Sequence, residues 1–197
     1  MPDKFRLLTE TLDTPIGALV LISDEEGRLR ATDWTNYDER MRRLLERQYG
    51  AESFTLTPAR NPSGLATALA AYFEGDICAI ESLPIATEGT AFQKSVWHAL
   101  RGIPAGQTIS YGELARRLGK PAAVRAVGLA NGANPIGVVV PCHRVIGANG
   151  SLIGYGGGLE RKRWLLDHER RAQLPRATAF DAERLASSAT RLRWSVQ

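Results

Sequence analysis

Along the chain the spacing of apolar residues changes. Up to residue 34 they fall in short runs rich in β-branched and aromatic residues: Phe5 to Leu12, Ala18 to Ile22 and Leu29 to Trp34. Thr14-Pro15-Ile16-Gly17 and Asp24-Glu25-Glu26-Gly27 separate them, and such punctuation predicts an antiparallel meander. The period then lengthens. Tyr37, Met41, Leu44 and Leu45 line one face of a helix expected from Tyr37 to Gln48. Leu65, Leu69, Tyr72 and Phe73 line a second, from about Pro62 to Phe73, with Gly75 to end it. A short strand is expected near Ile77 to Ile80, and Leu83-Pro84 to Gly89 reads as a linker.

Beyond the linker the pattern is helical. Phe92, Val96, Trp97 and Leu100 mark a helix that stops before Pro104. Ser110-Tyr111-Gly112-Glu113 is an S-x-x-E capping box opening a helix that runs to Gly119. Pro121 restarts a helix where proline is tolerated, so Gly119-Lys120 joins two short helices in a helix-turn-helix outline. After Asn134-Pro135, the apolar run Ile136 to Val140 delivers the chain to Pro141-Cys142-His143-Arg144. Gly147 to Gly158 is a glycine-rich loop, and a last helix from Leu159 to about His168 carries Trp164, Leu165 and Leu166. There are no internal repeats. Residues 172–197 read as a loosely ordered tail in which Leu185, Leu192 and Trp194 could dock.

These elements predict an α+β protein in two domains, residues 1–85 and 86–171, followed by the tail. The length of 197 residues suits one large domain or two small ones. No apolar run approaches the ~20 residues of a membrane span. Met1-Pro2-Asp3-Lys4 lacks a secretory plan, so the expected location is the cytoplasm. Cys78 and Cys142 could form one bridge on count alone, although a reducing compartment favours two free thiols. His98, His143 and His168 show no metal-binding spacing with them, so no metal is expected.

Charge sharpens the picture. Residues 1–85 hold 9 Lys/Arg against 14 Asp/Glu, a net of −5, while residues 86–197 hold 16 against 7, a net of +9. Either an acidic half supports a basic half that meets a polyanion, or the second half merely carries a solvated basic face. The helix from Ala122 to Gly132 offers Arg125, Asn131 and otherwise small residues. It is poor in side chains that read the major groove, but it could approach a minor groove closely and insert one side chain. Tight packing against a neighbouring helix explains the same composition. Cys142, with His143 and Arg144 beside it after a rigid apolar run, has the neighbours that activate a thiolate, yet a buried inert cysteine is common.

The wider pattern resembles a known family. Pro141-Cys142-His143-Arg144-Val145-Ile146 is similar to the active-site signature of the methylated-DNA–protein-cysteine methyltransferases, or O6-alkylguanine-DNA alkyltransferases, of the stand-alone bacterial type. The likeness extends through Ser110-Tyr111-Gly112-Glu113-Leu114-Ala115, Arg125-Ala126-Val127-Gly128, Asn131, Asn134-Pro135, Gly154-Tyr155-Gly156-Gly157-Gly158 and Trp164-Leu165-Leu166. Thr14-Pro15-Ile16-Gly17 and Asn61-Pro62 carry it into the first half, so it spans residues 5 to about 171.

The resemblance implies a ribonuclease-H-like antiparallel-sheet domain and a helical, winged-helix-like alkyltransferase domain. It implies that Cys142 takes an alkyl group from O6-alkylguanine, and from O4-alkylthymine, in double-stranded DNA, and is spent. His143 would deprotonate it through a water, with Glu169 orienting the imidazole as in a hydrolase triad. Asn134 would brace the active-site turn and Tyr111 would donate to N3 of the departing guanine. The carbonyls of Cys142 and Val145 would accept from its exocyclic amine, with Gly137, Gly156 and Gly157 lining the pocket. Arg125 would fill the gap left by the flipped nucleotide. Lys120 and the backbone around Ala122, Ala123 and Ala126 would face DNA through the minor groove. The protein would be a monomer in solution, able to line up in several copies along DNA, with no membrane partner.

Two positions depart from the family pattern. Many relatives carry serine at Gly156, and some carry proline at Gly137, so both glycines predict a roomier pocket. Three other readings have features against them. A non-catalytic lesion sensor would lack Cys142, a transcription regulator would need more base-reading side chains than Ala122 to Gly132 offer, and a Cys-His hydrolase would need a separate oxyanion hole.

Overall fold

The computed structural model describes residues 4–174. The expectations for Leu185, Leu192 and Trp194 lie outside these residues. Among the described residues no helix is long and apolar enough to cross a membrane.

The first three strands, β1 (Phe5–Leu12), β2 (Leu19–Ser23) and β3 (Leu29–Trp34), form the antiparallel meander, with Leu12 opposite Leu19 and Leu19 opposite Trp34. Helix α1 (Asp38–Tyr49) follows. The fourth strand corrects the sequence reading twice. It is β4 (Phe54–Pro58), which was not anticipated, and it pairs parallel to β1 with Phe5 opposite Phe54. The sheet is therefore mixed, in the order β3-β2-β1-β4. The strand expected near Ile77 to Ile80 does not form. Asp76 Oδ1 accepts from the Cys78 amide at 3.3 Å, and tight turns close from Ala79 to Asp76 and from Glu81 to Cys78. An aspartate that captures the backbone two residues on competes with a ladder.

Helix α2 (Leu65–Glu74) begins three residues later than expected, after a 3₁₀ turn at Pro62–Gly64. Gly75 ends it in the left-handed region at φ 112°, its amide bonded to Ala71 and Tyr72 carbonyls. Helix α3 (Ala91–Arg101) opens with a full capping box from Thr90 and Gln93. The anticipated box at Ser110 is half made. Ser110 Oγ accepts from the Glu113 amide at 3.1 Å at the start of α4 (Tyr111–Arg117), but the Glu113 carboxylate turns to Arg117 instead. Strand β5 (Ile109–Ser110) precedes α4, a 3₁₀ turn at Pro121–Ala123 leads into α5 (Val124–Gly132), and β6 (Val145–Ile146) pairs with β5. Helix α6 (Leu159–Gln173) runs well past His168, the end expected for it. Trp164 stacks on His168 with ring centroids 4.6 Å apart, and His168 Nε2 lies 2.7 Å from the Tyr72 carbonyl, which pins the extra turns onto α2.

What positions the site is the open edge of β3. An unpaired edge exposes a row of backbone donors and acceptors. Here the chain leaving the first half covers it: the Leu29 amide donates to Pro84 at 2.8 Å and the Ala86 amide to Leu29 at 3.0 Å. Further along, the Thr32 amide donates to Pro135 at 2.9 Å. The segment read as a linker is thus a sheet partner, and the residues before Cys142 are tied to the same strand. One core joins the halves. It takes in Leu29, Leu69 and Tyr72 from the first and Leu100, Val140 and Leu165 from the second. Met41 and Leu45 of α1 pack with Leu7, Ile22 and Ala31 in a smaller cluster.

Candidate active site

Cys142 is presented by a strained, braced turn. Val138 has φ 69°, a conformation that β-branched residues rarely adopt. On either side of it the Val139 amide reaches Gly137 O and the Val140 amide reaches Ile136 O, both at 2.9 Å. Asn134 closes the turn: its Nδ2 donates to Val140 O at 2.8 Å and its Oδ1 accepts from the Ile136 amide at 3.1 Å. Thr32 of β3 donates from Oγ1 to Gly137 O at 2.7 Å, so the sheet holds this turn directly. Cys142 then opens a single 3₁₀ turn with His143 and Arg144 and is 7% exposed. Both cysteines are free, and Cys78 is on the surface. Burial pushes the Cys142 thiol above its ordinary pKa, against the pull of Asn134, Lys162 and Arg40. At neutral pH the resting group is the thiol, so it needs a base.

A group with the chemistry of a base is next to it in sequence. His143 is fully buried, and burial lowers its pKa despite its hydrogen bond to Glu169, so the imidazole is neutral. Its Nε2 lies 3.0 Å from Glu169 Oε1. A carboxylate only accepts, so Nε2 carries the proton and Nδ1 keeps a free lone pair. Nδ1 is buried with no hydrogen-bond partner among the described residues. Burial alone would raise the pKa of Glu169, but the hydrogen bonds from His143 and Arg144 and the Arg144 charge overcome it and hold the carboxyl well below the usual range. Glu169 is the hub. Arg144 reaches it from Nε at 2.9 Å and Nη2 at 2.7 Å, Tyr72 donates from its hydroxyl at 3.0 Å, and so does the Gly106 amide at 3.0 Å.

A small cavity of about 30 Å³ adjoins Cys142, lined by Asn134, Gly137, Tyr155, Gly156 and Arg40 among others. That is room for roughly two water molecules, far short of a purine. Here the expectation of a roomier pocket is corrected at Gly156. A Cβ built there would collide with the Arg40 guanidinium, so an arginine from α1 fills the space that the glycine leaves. Arg40 is fixed by the buried Asp33, with Nε to Oδ2 at 2.8 Å and Nη2 on Oδ1, and it lies over the Tyr37 ring at 4.9 Å. A Cβ at Gly137 would meet Thr32 Oγ1 at 3.6 Å and the Tyr155 hydroxyl at 3.8 Å, ordinary contacts that leave a methyl's space there. Gly157 is needed for close approach, since a Cβ would lie 2.5 Å from Trp34 Nε1.

Tyr111, first residue of α4, is half-buried and donates from its hydroxyl to Gly154 O at 3.4 Å. Burial raises its pKa, so it remains a donor at neutral pH. Val145 is buried, and its carbonyl accepts from Lys162 Nζ at 2.6 Å. The residues expected to face DNA are on the surface: Lys120, Ala122, Arg125 and Ala126 are exposed and Ala123 is partly so, all along the 3₁₀ turn and α5. Trp97 Nε1 anchors α5 by donating to Ala130 O at 2.9 Å. Among the described residues no group of three or more His, Cys, Asp or Glu is placed to hold a metal.

Two profiles cover almost all of this structure. That of the 6-O-methylguanine DNA methyltransferase ribonuclease-like domain matches residues 7–87, and that of the DNA binding domain matches residues 91–171. The chain belongs to this methyltransferase family. It is 56% identical over 164 residues to the methylated-DNA–protein-cysteine methyltransferase of Salmonella typhimurium, covering 83% of this chain and 96% of that one. To the protein of the same name from Mycolicibacterium paratuberculosis it is 46% identical over 173 residues, 87% and 97% of the two chains. The crystal structure of Mycobacterium tuberculosis O6-methylguanine methyltransferase superposes with a TM-score of 0.70 at 41% identity, covering 89% of this chain and 99% of that one. A second Mycobacterium tuberculosis structure, in complex with DNA, has a TM-score of 0.67 at 42% identity over 85% and 94%.

Several residues that shape this methyltransferase-family site escaped the sequence reading. Lys162 is fully buried, donates to the Val145 and Ile153 carbonyls at 2.6 and 2.5 Å, and has its pKa lowered by burial to about 8. A signal was there: Lys162 and Glu169 fall on the buried stripe of α6 with Leu165 and Leu166, where charged residues stand only when they have partners. Tyr72, Asp33 and Arg40 come from the first half and carried no local sign of their role.

Proposed function

We propose that this chain repairs DNA by direct reversal, moving an alkyl group from O6-alkylguanine, and from O4-alkylthymine, to Cys142. The observation that carries this is the buried Cys142 thiol beside His143, whose Nε2 is held by Glu169 while Nδ1 has no partner among the described residues. In the reaction His143 Nδ1 takes the thiol proton, through a water that the cavity has room for. The thiolate then attacks the alkyl carbon in line. A carbon–sulfur bond forms, the carbon–O6 bond breaks, and the base leaves with the electron pair and takes up one proton, the equivalent of the thiol proton that His143 received and gives back through water. Tyr111 donates to N3 as charge builds on the purine, while the Cys142 and Val145 carbonyls accept from its amine. Lys162, by bonding the Val145 carbonyl, fixes that acceptor. The thioether is stable, so each molecule acts once and needs no cofactor.

The substrate is double-stranded DNA approached through the minor groove. Residues 86–171 act as the DNA-binding and transfer domain and residues 1–85 as its support. Arg125 takes the place of the flipped nucleotide, with Lys120 and the backbone of Ala122, Ala123 and Ala126 on the phosphates. The exposed small residues Ala122 and Ala126 on either side of Arg125 support a close approach. The protein works as a cytoplasmic monomer that can follow others along DNA. A duplex with one O6-methylguanine tests the reading: the wild-type chain should restore guanine and Cys142→Ser should leave the lesion intact. Repair by Cys142→Ser would refute it.

Arg40 sets a further expectation, on adduct size. Replacing it with alanine removes the side chain opposite Gly156. A hydrophobic pocket discriminates by ~1–3 kcal/mol per methylene, so the preference for methyl over benzyl adducts should relax by about tenfold. Competition between O6-methyl- and O6-benzylguanine duplexes reads the ratio directly. An unchanged ratio in Arg40→Ala would place the limiting wall elsewhere.

A further inference from the structure

Helix α1 belongs to the acidic half of the chain, yet one of its faces is cationic. Arg40, Arg43 and Arg47 follow one another at three- and four-residue spacing and so share a face. It is not the core face, which Met41 and Leu45 bury against the sheet. Instead it walls a groove of about 560 Å³ whose other side is α5 at Gly128, Leu129 and Gly132. No carboxylate is among the residues lining this groove, and α5 contributes none. The α5 side is low: a Cβ at Gly132 would meet nothing within 4 Å.

Arg40 is held by the buried Asp33, but Arg43 and Arg47 are only loosely committed to other groups. Arg43 pairs with Glu39 at 2.9 Å, but the two side chains are 65% and 90% exposed, and such a pair is easily exchanged. Among the described residues the ion pairs of α1 involve Arg40, Arg42 and Arg43, and Arg47 makes none. From Arg40 to Arg47 the helix rises about 10 Å, the axial rise of about three phosphates on one strand. Arginine is the side chain whose fork matches phosphate oxygens.

We propose that this arginine face of α1 holds the sugar–phosphate backbone of one strand of the duplex whose groove α5 enters. The proposal rests on the DNA-repair reading and adds a surface from the first half of the chain. It predicts that Arg43 and Arg47 each neutralise one phosphate, whatever the base sequence.

The measurement is the salt dependence of binding to an unmodified duplex by the full chain, followed by fluorescence anisotropy. For Arg43→Ala/Arg47→Ala the slope of log K against log salt should be shallower than wild type by about 1.8, two contacts at about 0.9 each. Arg42→Ala is the internal control. It lies on the same helix but faces a separate apolar hollow with Met41, Leu45 and Phe54, and its slope should match wild type. Arg43→Lys/Arg47→Lys should keep the slope, and methyl transfer from the free O6-methylguanine base should be unchanged in every variant. A double alanine variant with the wild-type slope, an equal shift in Arg42→Ala, or an equal loss on the free base would overturn the proposal. A wild-type chain that binds no duplex would overturn the DNA-repair reading itself, and this contact with it.

Discussion

Replacing Glu169 with glutamine is expected to lower the transfer rate by about 10² to 10⁴, the range in which positioned acid–base groups contribute. The carboxylate fixes the proton of His143 on Nε2, and that leaves the Nδ1 lone pair free to take a proton. An amide in its place can present N–H to the ring and favour the wrong tautomer. Stability should fall too. Glu169 is the buried partner of Arg144, and breaking a buried pair costs ~3–5 kcal/mol because one charge is left unpaired. The pH dependence has a fixed sign. Glu169 is held far below the ~4.3 at which it titrates in the unfolded chain, so its contribution is complete above that value and is lost as pH falls through its folded pKa. His143 has a lowered pKa, so the unfolded chain takes up its proton first and stability declines from ~6.5 downward. Wild type should therefore weaken in acid in two stages, and Glu169→Gln should lose the lower one. Urea unfolding from about pH 7 down to about pH 2, with single-turnover rates at neutral pH, checks both. A variant with wild-type rate and wild-type acid profile would remove Glu169 from the mechanism.

Arg125→Ala should separate repair in duplex DNA from reaction with the free base. Arg125 is a long cationic side chain exposed near the start of α5. If it takes the place of the flipped nucleotide, its loss leaves an unstacking cost of a few kcal/mol uncompensated, and duplex repair should slow by between about tenfold and a thousandfold. Reaction with free O6-alkylguanine, which has no stack to leave, should stay near wild type. Parallel single-turnover measurements on the two substrates give the comparison. Equal losses on both would move Arg125 out of the stack and into the pocket's support.

The ease of reading the sequence followed the range of the interactions. Strands β1 to β3 were legible to within a residue because β-branched runs end at local turn signals, Thr14 to Gly17 and Asp24 to Gly27. β4 was not, although Phe54-Thr55-Leu56-Thr57 alternates, because its partner is β1, far back in the chain and parallel to it. Ile77 and Ile80 looked like a strand until Asp76 took the backbone into a turn. At the site, Cys142 and His143 are neighbours in sequence and announced themselves, and Glu169 entered through the family pattern. The hydrogen bond from Tyr72 to Glu169 spans 97 residues and that from Thr32 to Gly137 spans 105. Neither leaves a trace in local composition. Arg40 shows the same limit from the opposite side: two glycines suggested an open pocket, but the side chain that fills the space at Gly156 arrives from α1.

The central claim is that Cys142 is a stoichiometric acceptor, and intact-protein mass spectrometry during reaction with excess O6-methylguanine duplex tests it most directly. Lesion removal should stop at one equivalent, with each chain heavier by one methyl group located on Cys142 and none on Cys78. Removal that continues well beyond one equivalent, with Cys142 unmodified, would contradict it.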